Sequence, residues 1–133
     1  MWILSRNLVN KILGHAQRSL PRECVGVLSG SGKEADAWHP LTNIASDEVS
    51  FLADSGEQIR LFRQLRERKR DVVAIYHSHP RGPAEPSRLD LDLAGYPDAL
   101  MLVVGMQTDG RLEMNGFLAR HGRLEQQEIT IRD

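Results

Sequence analysis

Residues Asp71 to Tyr76 read DVVAIY, a nearly unbroken apolar run that leads directly into His77-Ser78-His79-Pro80. Such a run, without polar alternation, is the pattern of a strand buried on both faces. A sheet covered on both faces needs a layer on each side, and two amphipathic segments can supply them. In the first, Leu8, Val9, Ile12, Leu13 and Ala16 recur at helical spacing between Arg6 and Ser19, with Ser5 as N-cap. In the second, Asp54-Ser55 caps a predicted helix from Gly56 to Lys69 with Ile59, Phe62 and Leu65 as its apolar stripe. Its other faces carry Arg60, Arg63, Arg66, Arg68, Lys69 and Arg70, which read as a solvated basic surface.

The remaining pattern supplies more strands. They are expected at Glu23 to Ser29, Ala35 to Ala45 (interrupted by Asn43), Val49 to Ala53 and Leu100 to Met106. Arg111 to Ala119 should pair back across an Asp109-Gly110 turn, and Leu124 to Ile131 should follow the His121-Gly122 turn as a last strand. Ser87-x-x-Asp90 is a capping box that opens a short helix reaching Leu93 or Ala94. The expected class is α/β: a central mixed β-sheet flanked by helices. A chain of 133 residues is the size of one domain, residues 1–133.

Charge and cysteine content narrow the partners. Seventeen basic against eighteen acidic residues leave a formal net charge of −1, which gives no electrostatic reason to expect nucleic acid or an anionic membrane. No window approaches the ~18 apolar residues of a membrane span, and the N-terminus lacks the order of a secretory signal. Cys24, the single cysteine, cannot form an internal disulfide and reads as a small buried residue. A cytoplasmic protein is expected.

The chemistry concentrates at the end of the DVVAIY strand. His77 and His79 are two apart, so both imidazoles project from one face and Ser78 from the other. Two same-face rings can occupy two corners of a tetrahedral zinc site. Pro80 stops the strand there, at a sheet edge where a cleft can form. Three carboxylates compete for the third position. Asp90 falls in the first turn of the following helix, where the dipole favours an anion. Asp92 sits about 200° further around that helix, and Glu85 lies in the loop between prolines. Two histidines and one carboxylate leave a position open, the mark of a catalytic rather than a structural site. Water there still needs a base, and Glu23, opening an apolar strand, is the upstream candidate. His15, His39 and His121 read as surface or structural residues.

The combination resembles the JAMM/MPN+ (Mov34/PAD-type) zinc metalloprotease family, and in particular its compact prokaryotic stand-alone members. That family's pattern is an upstream Glu, then H-x-H, seven residues, Ser, two residues, Asp. Here it is met by Glu23, His77-Ser78-His79, the seven residues Pro80 to Pro86, Ser87 and Asp90. Pro21-x-Glu23-x-x-Gly26-x-Leu28-x-Gly30 is similar to the family's glutamate strand, and Val73 to Pro80 to its metal strand. The resemblance implies a cytidine-deaminase-like JAB/MPN fold and one Zn(2+) held by His77, His79 and Asp90. It also implies Glu23 as general base and Ser87 as stabiliser of the oxyanion. The implied partner is a ubiquitin-like β-grasp protein, of sulfur-carrier type, cleaved after its C-terminal Gly-Gly. Other HxH proteins fit less well: an amidohydrolase needs a barrel longer than this chain, a cupin is all-β, and a zinc deaminase needs a cysteine pair. A non-catalytic MPN scaffold is the rival reading, but such modules usually lack the ligands found here.

Overall fold

The computed structural model describes residues 1–86, 98–106 and 112–133. Chain order is β1 (Trp2–Ser5), α1 (Arg6–Ser19), β2 (Val25–Ser31), β3 (Glu34–Leu41), α2 (Ser55–Glu67), β4 (Asp71–His79), β5 (Leu100–Gly105), β6 (Glu113–Arg120), β7 (Arg123–Gln127) and β8 (Ile129–Arg132). The strands form one mixed sheet in the order β7-β6-β5-β4-β2-β3-β1-β8.

The two expected helices cover opposite faces. Ser5 Oγ accepts from Leu8 N at 3.1 Å and caps α1. The buried stripe of α1 (Leu8, Val9, Ile12, Ala16) packs on Leu28, Ala74, Tyr76, Leu102 and Val104. Asp54 Oδ1 accepts from Glu57 N at 3.0 Å and caps α2. There Leu61 and Leu65 pack against Val25, Val27, Val72 and Ile75. The α2 stripe differs from the expected one. Ile59 is 59% exposed, and Leu61 takes the core position instead. The stretch contains two overlapping helical stripes, and contact with β2 selects one.

Three strand expectations need correction. Glu23 and Cys24 precede β2 rather than lying in it. β3 ends at Leu41, and Val49 to Ala53 forms no strand, only an isolated bridge between Asn43 and Ala53. The final segment is two strands rather than one: β7 pairs with β6, while β8 pairs with β1 at the opposite edge of the sheet. Only Glu128 separates them, so the two edges must approach within about two residue lengths. The sheet therefore curls strongly, and a methyl at Gly116 on β6 would meet Ile129 Cδ1 at 2.8 Å. β1 itself was not anticipated. The expected Asp109-Gly110 turn and the helix starting at Ser87 lie outside the described residues.

Candidate metal centre

The site is built at the paired ends of β2 and β4. In their antiparallel register Val25 faces His77. Continuing that pairing outward sets Glu23 opposite His79. A second clamp fixes the level: Cys24 N donates to Ser78 Oγ at 2.8 Å, and Ser78 N donates to Cys24 O at 3.2 Å. Alternation then sends Glu23, His77 and His79 to one face, and Cys24 and Ser78 to the other. One carboxylate oxygen and one ring nitrogen from each histidine all lie within 4.8 Å of one another.

The neighbours of the cluster set its chemistry. Glu23 is 4% exposed and His77 only 1%, an expensive burial for an acid and an imidazole unless they serve a common partner. Phe51 stacks on the His77 ring with centroids 4.4 Å apart and planes 23° apart, which fixes that ring's plane. The His77 and His79 rings meet edge-on, with centroids 5.0 Å apart. His79 Nδ1 lies 3.1 Å from Pro83 O. A carbonyl can only accept, so Nδ1 carries the proton and Nε2 is left with the lone pair that can ligate a metal. Two imidazole nitrogens, one of them held in the ligating tautomer, beside a buried carboxylate that can take a proton from a bound water, are a set that suits an open zinc site.

The loop after His79 is folded back to make that carbonyl available. Met106 N donates to both His79 O and Gly82 O at 3.2 Å, and Asn115 Nδ2 donates to Ala84 O at 2.9 Å. Gly105 pairs with His79 in the parallel β4–β5 ladder. A Cβ at Gly105 would fall 2.2 Å from Ala84 N, so only glycine lets the loop lie against the strand end.

Asn43 holds the other wall. Its Nδ2 donates to Glu23 O at 2.9 Å and Ser50 O at 3.2 Å, while its Oδ1 accepts from Ala45 N and Leu52 N. The residue that breaks the expected strand is thus the tie between the 43–52 loop and the Glu23 backbone. Sequence reasoning noted the interruption but not the role. Nothing in the sequence assigns Phe51, read as part of a strand, or Pro83, a loop breaker, to the site, because each acts through a contact between distant segments.

Two cavities meet the cluster. One, about 890 Å³ with its open mouth, is apolar and lined by His77 with Val25, Phe51, Ile75, Met101 and Phe117. The other, about 820 Å³ with its mouth, is walled largely by prolines and carries the charged groups Glu23, Glu48, Arg81 and Glu85 together with His79. Glu85 therefore borders the site, but it is not part of the group whose donor atoms converge among the described residues. Ser87, Asp90 and Asp92 lie outside the described residues. Cys24 is buried, with its thiol pushed up to about 11 by that burial, so it is no thiolate nucleophile.

A curled mixed sheet between two helices, with Glu-His-His donors converging at its central strand ends, defines a zinc metallopeptidase of the JAMM class. The family described as prokaryotic homologs of the JAB domain matches residues 5–119, and the chain belongs to it. The chain is 33% identical over 131 residues to the CysO-cysteine peptidase of Mycobacterium tuberculosis, covering 97% of this chain and 90% of that one. It is 36% identical over 87 residues to a probable TtuB-protein conjugate cleaving protease of Thermus thermophilus, covering 65% of this chain and 58% of that one. Among solved structures, protein DSY2949 of Desulfitobacterium hafniense superposes with a TM-score of 0.88 at 27% identity, covering 100% of this chain and 94% of that one. No described helix is long and apolar enough to cross a membrane.

Proposed function

We propose that residues 1–133 act as one catalytic domain that hydrolyses the bond after the C-terminal Gly-Gly of a ubiquitin-like carrier protein. The convergence of Glu23, His77 and His79 donors within 4.8 Å carries this reading. Relatives named for cleaving CysO-cysteine and TtuB-protein conjugates support the substrate class.

His77, His79 and Asp90 would hold the zinc, with Glu23 beside it. When bound, zinc supplies Lewis acidity toward a carbonyl oxygen and lowers the pKa of water from 15.7 to about 7. The protein's own groups do the rest. Glu23 takes a proton from the attacking water as the oxygen bonds to the glycine carbonyl carbon. It then gives a proton to the amine as the C–N bond breaks. The bond from Asn43 Nδ2 to Glu23 O fixes the backbone that carries that carboxylate. Ser87 would donate to the oxyanion that forms in between. On this reading the tail would reach the cluster through a space too narrow for a Cβ at its last two positions, which selects glycine there. The lone cysteine, buried and without a disulfide partner in the chain, fits action in a reducing cytoplasm.

The test uses CysO carrying one C-terminal cysteine, in Gly-Gly and Gly-Ala versions, read by intact mass. The reading predicts loss of cysteine from the Gly-Gly version and a penalty for Gly-Ala beyond the ~1–3 kcal/mol of ordinary pocket discrimination. Equal cleavage of both would contradict it.

A further inference from the structure

We infer that Arg81 binds the free carboxylate of a single residue leaving from the cleaved bond, so that the preferred substrate is a carrier extended by one amino acid. The inference rests on the peptidase reading above and adds what the leaving group must be.

The cavity beside Glu23 and His79 is the place for that group. Its described charged lining is lopsided. Glu23, Glu48 and Glu85 supply three carboxylates, and Arg81 is the one arginine or lysine among the described lining residues. Hydrolysis adds OH to the glycine carbonyl and H to the leaving amine. A single leaving residue then departs as an amino acid with its own carboxylate. With a zinc counted against Glu23 and its carboxylate ligand, Glu48 and Glu85 remain, and they repel the leaving carboxylate unless a further cation meets it. Arg81 lies two residues beyond His79 and is free to do so. Its side chain is 81% exposed, and its ion pair with Glu48 is long, at 3.7 Å, to a carboxylate itself half exposed. Such a pair exchanges readily for a better-placed carboxylate, which the guanidinium can hold through two parallel N–H···O bonds.

An isopeptide-linked target offers no such group. Its leaving amine is a lysine Nζ, and that lysine's carbonyl is tied up in an uncharged peptide bond. Arg81 therefore favours the kind of substrate in the name CysO-cysteine peptidase over the kind in conjugate cleavage.

The experiment has two arms. In the first, CysO–cysteine and its C-terminal carboxamide are compared as substrates for the zinc-loaded protein. The carboxylate form should be cleaved with a kcat/KM about 10- to 100-fold higher, the span expected of hydrogen bonds between charged partners. Arg81→Gln should erase that ratio by slowing only the carboxylate form, and Glu48→Gln should widen it by removing the competitor. In the second, Gly-Gly-Ala and its carboxamide are titrated by NMR into zinc-loaded Glu23→Gln, with the Arg81 Nε–Hε resonance as reporter. The carboxylate peptide should bind at least about tenfold more tightly and shift that resonance. Cleavage of both carrier forms at equal rates, or a carboxylate preference that survives Arg81→Gln, would overturn the inference while leaving the peptidase reading intact. If neither carrier form is cleaved, the peptidase reading falls, and the peptide titration alone decides whether Arg81 binds a carboxylate.

Discussion

At the scale of single residues, the site depends as much on the groups that hold the donors as on the donors. Asn43 uses both amide protons and its carbonyl oxygen on four backbone groups around Glu23. At about 0.5–1.5 kcal/mol per bond, and with part of the network exposed, Asn43→Ala should lower stability by about 2 kcal/mol. It should also lower kcat, since the backbone under Glu23 loses its anchor, and raise KM, since the 43–52 loop lines both cavities. Urea unfolding with steady-state kinetics checks both. An unchanged kcat would make Asn43 a merely structural tie. Gly105→Ala acts on the other wall. Its methyl cannot coexist with Ala84 N at 2.2 Å, so the loop must shift and take Pro83 O away from His79. Overpacking of this kind costs about 1–3 kcal/mol. Loss of a ligand-orienting partner typically weakens metal affinity 10- to 100-fold, which competition with a zinc chelator would measure. His77, His79 and Glu23 were legible in the sequence because strand period and motif spacing mark them. Arg81, Phe51 and Asn43 were not, since no periodicity brings their loops to the site.

At the scale of elements, the sequence is most reliable where one period dominates. α1 and β4 lie where the apolar spacing sets them, and β4 runs on through both histidines before Pro80 ends it. Where two patterns compete, tertiary contact decides. In α2, Ile59 and Leu61 are two residues apart, about 200° around the helix, and only one can face β2. Leu61→Ala should therefore cost about 2–5 kcal/mol, whereas Ile59→Lys should change stability by no more than about 0.5 kcal/mol. Thermal or urea denaturation of the two variants separates them, and the reverse order would mean that the expected stripe is the true one. Val49 to Ala53 looked like a strand because it is apolar and β-prone. Its backbone instead spends Leu52 N on the Asn43 side chain, a local alternative to a ladder.

The whole molecule places its two chemistries on opposite faces of one sheet. The α2 face carries His77 and the apolar cavity. The α1 face carries Tyr76, whose hydroxyl accepts from Trp38 Nε1 at 2.9 Å and lies 2.7 Å from His15 Nδ1. Burial of His15, reinforced by the nearby Arg18 charge, lowers its pKa below the ordinary value of 6.5, and burial lowers that of His39 too. The sign follows from proton binding. Below about pH 6.5 the unfolded chain takes up protons on these rings that the folded chain resists, so stability falls as pH drops through that range. His15→Gln should flatten the decline between pH 7.5 and 5.5 in urea midpoints. An unchanged slope would remove His15 from the linkage. The order of the sheet was the least legible feature. Between Leu124 and Ile131 the four polar residues Glu125 to Glu128 carry no turn signal such as Gly or Pro, yet the chain crosses there from one sheet edge to the other, which the curl of the sheet makes possible.

The central claim is that Glu23 is the proton carrier of a zinc peptidase centre rather than a structural carboxylate or a metal ligand. The most direct measurement is made on Glu23→Gln beside the wild-type protein. Zinc content is read by elemental analysis, and turnover of CysO–cysteine by intact mass. The variant should keep about one zinc per chain and lose about 10²- to 10⁴-fold in turnover, because an amide of the same shape cannot accept the proton. Turnover at the wild-type rate in zinc-loaded Glu23→Gln, or loss of its zinc, would contradict that account.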